Sequence, residues 1–278
     1  MTHRLEDRLS IRFWGVRGSL PSPGPETVRY GGETTCLEVR LGTRRVIVDC
    51  GSGARRLGKH LMAEGPSRLD LVFTHSHMDH ICGLPFFLPA YDPAFQVRLW
   101  AGHLPTAEIH RDIIERLMSP PIFPVPTAAL QACAFRVFPG GEAIELEAGI
   151  VVETCKLNHP GGATGYAFSH AGRRLAIITD HEHGNALIDA AVERFVAGAD
   201  VMVYDAMYTD AEYPMRVGWG HSTWQKAIEL AERAGVAVPV IMHHDPSRSD
   251  DALDAIQAAM AARMPLALVA REGLEVNA

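Results

Sequence analysis

Three histidines and an aspartate fall within the six residues 75–80, in the stretch Thr74-His75-Ser76-His77-Met78-Asp79-His80. They follow the apolar run Leu69-Asp70-Leu71-Val72-Phe73, which reads as a buried strand, and precede the turn signal Gly83-Leu84-Pro85. A strand projects residues two apart to the same side. The spacing therefore predicts that His75, His77 and Asp79 converge on one point, with His80 out of phase and facing a second point nearby. Neutral imidazole and carboxylate together suit a borderline-soft divalent cation such as zinc, for which Zn–N bonds are about 2.0–2.1 Å. For a lone histidine, a hydrogen-bonded polar loop would be the better account. Four such groups after an apolar strand favour a metal.

The rest of the chain bounds what such a cluster can serve. At 278 residues it can bury most of its surface in one large domain or two small ones. With 47% hydrophobic and 21% charged residues it has the composition of a soluble globular protein. No apolar run approaches the roughly 20 residues of a membrane span. Residues 1–10 lack the apolar core of a signal peptide, so a cytoplasmic location is expected. The five cysteines (Cys36, Cys50, Cys82, Cys133, Cys155) are odd in number and mostly strand-like in context, which points to reduced thiols. A net charge of −7 gives no footprint for gripping nucleic acid, but leaves room for a small anionic substrate held by metals.

Along the chain, strands are expected at 11–14, 36–41, 45–49, 69–73, 97–101, 134–138, 150–156, 165–169, 174–179, 200–204, 239–242 and 266–269. Thr106 should cap a helix carrying Ile109, Ile113, Ile114 and Leu117 on one face. Ser119–Pro126, with four prolines, reads as a stiff loop overhanging a site, with Phe123 either walling a pocket or in the core. A helix is expected over 185–197. Ser222 and Gln225 form a capping box for a helix ending at Gly235, and a last helix spans about 250–263. Polar residues punctuate strand ends: Asp49, His75–His80, His159, Asp180, Asp205 and His243. Ligands gather at strand ends in layered α/β proteins, so one composite site between two halves of a single domain (1–278) is the expected arrangement. Glu182 and His183 either line that site or form a polar turn after Asp180.

These positions resemble the motifs of the metallo-β-lactamase-fold hydrolases. Asp49 matches an acid that braces the metal loop, His75, His77, Asp79 and His80 the central motif, His159 an isolated histidine, and Asp180 a carboxylate bridging two metals. His243 matches the final histidine through its spacing to Pro246, with His244 one residue out of register. The resemblance implies a four-layer αββα sandwich of two mixed sheets flanked by helices. It further implies two divalent ions (zinc, with manganese or iron as alternatives), one on His75, His77 and His159, the other on Asp79, His80 and His243, with Asp180 shared.

Gly220-His221-Ser222-Thr223 and Asp205, sixteen positions before the histidine (221 − 205), are similar to the acid-plus-histidine device of the phosphodiesterase branch that includes ribonuclease Z. Each admits a plainer role, Asp205 as a strand-end cap and His221 as the residue before a helix N-cap. The branch implies hydrolysis of a small phosphodiester or cyclic nucleotide by a metal-bridging hydroxide, with Asp79, His221 and Asp205 catalytic. Only 20 residues separate His159 from Asp180 (180 − 159 − 1), too few for the tRNA-gripping arm of ribonuclease Z. No stable nucleic-acid partner is expected, and a homodimer is one assembly the sequence permits. Ester, thioester or lactone hydrolysis on the same metals, and a non-catalytic metal-bearing module, are the alternatives. A redox di-iron site is disfavoured, because that related group replaces the middle histidine with a carboxylate and His77 is retained.

Overall fold

The protein is described by a computed structural model covering residues 5–147 and 149–278. The first half supplies β1 (Leu9–Gly15), β2 (Cys36–Leu41), β3 (Arg44–Val48), helix α1 (Ala54–Glu64), β4 (Arg68–Phe73), the single turn α2 (Met78–Ile81), β5 (Gln96–Ala101), α3 (Ala107–Leu117) and β6 (Cys133–Val137). The second supplies β7 (Ile144–Glu147), β8 (Ile150–Leu157), β9 (Ala163–His170), β10 (Arg173–Ile178), α4 (Ala186–Val196), β11 (Val201–Asp205), α5 (Trp224–Ala234), β12 (Val238–Met242), α6 (Asp250–Arg263) and β13 (Leu268–Val269). A last strand, β14 (Glu275–Asn277), returns to the first half and pairs with β1.

Two seven-stranded sheets result, in the orders β14-β1-β2-β3-β4-β5-β6 and β13-β12-β11-β10-β9-β8-β7. Each begins as an antiparallel meander and ends as a parallel array: β3 to β6 in one, β10 to β13 in the other. The inner faces pack on each other, Val39, Val46 and Val72 meeting Tyr166, Ile177 and Val203 in one buried cluster. Outer faces are covered by helices. Leu57 and Leu61 of α1 join Leu71 and Phe73 on the first sheet, while Val192 of α4, Ile228 of α5 and Ile256 of α6 cover the second. This is the expected αββα sandwich. Strand β4 is buried on both faces, and the one charge inside its apolar run, Asp70, accepts from Trp100 Nε1 at 2.7 Å and Arg98 Nη2 at 2.5 Å.

Local departures from the sequence reading have physical causes. Helix α1 was not expected, because Arg55, Arg56, Gly58 and Lys59 dilute its apolar stripe of Ala54, Leu57 and Leu61. Helix α3 is capped by Thr106, which accepts from the Ile109 amide at 3.3 Å. Its buried face, however, is His110 and Ile114, and Ile109 is 42% exposed. The cap of α5 is Thr223, accepting from the Lys226 amide at 3.2 Å, so the Ser222–Gln225 capping box does not form. Ser222 is buried instead against His183. The proline-rich loop does not overhang the strand-end cluster. Phe123 packs edge-on to Phe86 (ring centroids 5.6 Å apart) against the outer layer of the first sheet. All five cysteines are free thiols, and no helix among the described residues is long and apolar enough to cross a membrane.

Candidate metal centre

The parallel strands of both sheets point their C-terminal ends at one place. Strand β3 delivers Asp49, β4 delivers His75 and His77, β10 delivers Asp180, β11 ends at Asp205, and β12 delivers His243. Asp49, Asp180 and His243 each leave their strand in the left-handed region, with φ of 62°, 51° and 62°. Short polar side chains tolerate that region better than most, and such conformations persist where the surroundings hold them. The turn swings each side chain off the sheet face and into the gap between the sheets.

Two groups of donors form there. His75, His77 and His159 make one, with His159 Nε2 3.0 Å from His77 Nδ1. Asp79, His80 and His243 make the other, with His243 Nε2 3.1 Å from Asp79 Oδ2 and 3.3 Å from His80 Nε2. Asp180 lies between them. Its Oδ2 is 3.6 Å from His75 Nε2, and its Oδ1 is 3.3 Å from both His80 Nε2 and His243 Nε2. The strand-period expectation that Asp79 would join His75 and His77 is thus corrected. The chain turns into α2 at Met78, and the helical step carries Asp79 and His80 together to the second group.

Further contacts hold the rings. Asp49 is fully buried, accepts from the Thr74 amide and hydroxyl at 2.8 Å each, and accepts His80 Nδ1–H at 2.7 Å. That leaves His80 Nε2 facing Asp180, so Asp49 braces the centre rather than joining it. The Ser19 amide donates to Asp79 Oδ2 at 2.7 Å. Two glycines allow close approach: a Cβ on Gly18 would stand 2.4 Å from the His243 ring, and one on Gly220 2.3 Å from His159 Nδ1. Arg17, wholly buried, ties the loop after β1 to the loop after His243 by donating to the Gly31, Asp245 and Arg248 carbonyls at 2.7–3.2 Å.

His221 donates its Nδ1 proton to Asp205 Oδ2 at 2.9 Å, and its ring stacks 4.8 Å from that of His243. Asp205 is also held by the amides of His181 and Met207. His244, the neighbour in sequence, points away and donates Nε2–H to the Ala270 carbonyl at 2.8 Å. Glu182 and His183 do not line the donor groups but hold the loop that reaches His221. Glu182 accepts from the Gly218 and Gly220 amides at 2.7 Å each and from the Tyr213 hydroxyl at 3.1 Å. Gly220 in turn accepts His159 Nδ1–H on its carbonyl at 2.8 Å, which turns Nε2 toward His77. No motif marks Glu182 in the sequence; its position two residues past Asp180 is the single local hint.

The protonation states suit a cation. Burial pulls His75, His77 and His159 below the ordinary imidazole value. Burial opposes the charge on Asp180, but His243, His80 and His75 outweigh it and hold the carboxyl well below its usual range. Burial likewise lowers His80, yet Asp180, Asp79 and Asp49 prevail and raise it well above its ordinary value. His80 therefore holds a proton that a divalent cation in the second group would displace. The fit is also visible in what is left unpaired: His75 Nε2 and Asp180 Oδ1 are buried at the centre without a hydrogen-bonding partner, a costly arrangement that a cation relieves. His77 is exposed, and through it the centre opens to solvent.

Comparison with known proteins agrees with this geometry. The sequence pattern of the β-lactamase superfamily domain matches residues 44–244. A ribonuclease Z from Gemmatimonas aurantiaca is 25% identical over 322 aligned positions, covering 97% of this chain and 96% of that protein. Among solved structures, the metallo-β-lactamase-fold protein YhfI from Bacillus subtilis superposes with a TM-score of 0.74 at 15% identity, covering 98% of this chain and all (100%) of its own. A diphosphatase of the PhnP family superposes at 0.68 with 18% identity, covering 98% and 97%. The chain belongs to the metallo-β-lactamase-fold superfamily, in its ribonuclease Z-like branch, and is a divalent-metal-dependent hydrolase.

Proposed function

We propose that this protein is a phosphodiesterase with two divalent cations, zinc in the first instance, acting on a small phosphodiester. His75, His77 and His159 would hold one cation, Asp79, His80 and His243 the other, and Asp180 would be shared. The observation that carries this is the position of Asp180, whose two oxygens face the two donor groups separately. Both sheets contribute donors, which supports reading residues 1–278 as one domain. When bound, the cations supply acidified water and Lewis acidity toward a phosphoryl oxygen.

The chain's own residues do the rest. Asp79 is held by the Ser19 amide, with Oδ2 3.1 Å from His243 Nε2. His221 holds a proton beside the donor groups. Burial works against it, but the adjacent Asp205 carboxylate prevails and raises the imidazole to about 9. A protonated imidazole in that place can give its proton to a departing alkoxide. The pair supports the phosphodiester reading through its likeness to the acid-plus-histidine device of the phosphodiesterase branch.

Metal-reconstituted protein should hydrolyse bis-p-nitrophenyl phosphate and leave a thioester and a lactone untouched. The opposite selectivity would establish the esterase alternative. Precursor tRNA should be a poor substrate. The β9–β10 hairpin takes up nearly all of the 20 residues between His159 and Asp180 (180 − 159 − 1), and the net charge is −7. Efficient precursor cleavage at low enzyme concentration would overturn the small-substrate reading.

A further inference from the structure

A cleft of roughly 670 Å³ opens beside the centre, between the β6 edge of one sheet and the β8–β9 hairpin of the other. That volume lies within the roughly 300–1,000 Å³ of small-molecule sites. Three connections join it to the donor groups. His103, in its wall, bonds through Nε2 to Ser76 Oγ at 2.6 Å, and Ser76 sits between His75 and His77. Leu157 and Gly162, also in the wall, flank the turn that carries His159. The Thr164 amide donates to the Thr74 carbonyl at 2.9 Å.

The lining has a definite chemistry. Val137, Phe138, Leu157, Ala163 and Ile188 make it mainly apolar. Lys156 is its one cation and it has no carboxylate, in a chain whose net charge is −7. His103 offers the cleft no free polar atom, because Nε2 is bonded to Ser76 and Nδ1 is buried. A nucleoside would bring a ribose and a base edge needing several polar partners, which this wall does not supply.

We propose that the cleft holds the larger substituent of the phosphodiester, a flat apolar group such as an aryl ring. This rests on the phosphodiesterase reading for its chemistry but not for its binding. Methyl p-nitrophenyl phosphate and 1-naphthyl p-nitrophenyl phosphate lose the same p-nitrophenolate, so their kcat/KM ratio reports the retained group alone. The naphthyl ester should be preferred tenfold or more, and Ile188→Trp, filling the cleft from the half-buried start of α4, should cut that preference at least tenfold. Ile188→Phe serves the same purpose should the tryptophan variant not fold. In parallel, calorimetric binding of 1-naphthyl phosphate should weaken tenfold or more in either variant. No preference in the parent, or one untouched by both variants, overturns the proposal. If neither ester is cleaved yet 1-naphthyl phosphate binds in an Ile188-dependent way, the cleft assignment stands and the phosphodiesterase reading falls.

Discussion

His221 and Asp205 are joined by a 2.9 Å hydrogen bond from Nδ1 to Oδ2, and Asp205 is itself held by the amides of His181 and Met207. The bond fixes the ring orientation and keeps the imidazole protonated. His221 Nε2 has no hydrogen-bonding partner among the described residues, so one proton remains to give. His221→Ala should lower turnover roughly 10²–10⁴-fold for alkyl leaving groups, the usual span of general acid catalysis. The loss should shrink for p-nitrophenolate, which departs without a proton, and bound metal should stay constant. Asp205→Asn should give a milder version of the same pattern, because an amide holds the ring but not its charge. Equal losses across leaving groups would make His221 structural.

Metal content tests the donor groups directly. Reloaded protein should carry two divalent ions per chain by elemental analysis, and less than one would refute the assignment. Asp180→Ala should be the most damaging single change. On the proposed assignment it would remove the carboxylate shared by both groups and leave two cations without an intervening charge. Chelation should lower the melting temperature, because His75 Nε2 and Asp180 Oδ1 then stay buried and unpaired.

Glu182 should matter to metal affinity without touching metal. It clamps the Gly218 and Gly220 amides, and the Gly220 carbonyl sets the tautomer of His159. Glu182→Ala strips two amides of their acceptor, at a cost on the order of 1–3 kcal/mol of stability. It should also weaken the His159 cation about 10–100-fold, the usual effect of losing a partner behind a ligand. Competition titration with a chromophoric chelator measures this. Unchanged affinity would show that the loop keeps its place unaided.

The donor cluster was legible in the sequence because most of it is local. Four groups in six residues after an apolar run can scarcely serve the core, and Asp49, His159, Asp180, Asp205 and His243 each close a strand. The pairing of Asp79 was not legible from strand period alone, since one helical turn at Met78 reverses it. The left-handed exits at Asp49, Asp180 and His243 were also hidden, because no glycine marks them and tertiary contacts hold them. The same holds for Glu182, whose partners lie 36 and 38 positions away. At Thr223 the cap falls one residue later than expected, and at His110 burial overrides the apolar stripe. Ser222 is needed beneath His183, and α3 has an aromatic slot to fill.

That slot gives a pH dependence. The His110 ring sits edge-on between Phe73 and Phe135, with centroids 5.5 and 5.1 Å away, and is 2% exposed. Its Nδ1 donates to the Arg136 carbonyl at 3.3 Å. Burial pulls the imidazole down to about 4, the carbonyl only partly offsetting it. The folded state thus prefers neutral His110, while the unfolded chain protonates near the ordinary value of about 6.5. The unfolded state therefore binds more protons as pH falls, and stability present above about 6.5 drains away toward 4. For those two values the loss at pH 5 is about 2 kcal/mol. His103 and His244, pulled to about 4 and about 3 by burial, act with the same sign. Denaturant midpoints of the metal-free protein should fall between pH 7 and pH 5, and His110→Gln should fall by a smaller amount. Parallel slopes for the two proteins would show that His110 titrates normally in the fold.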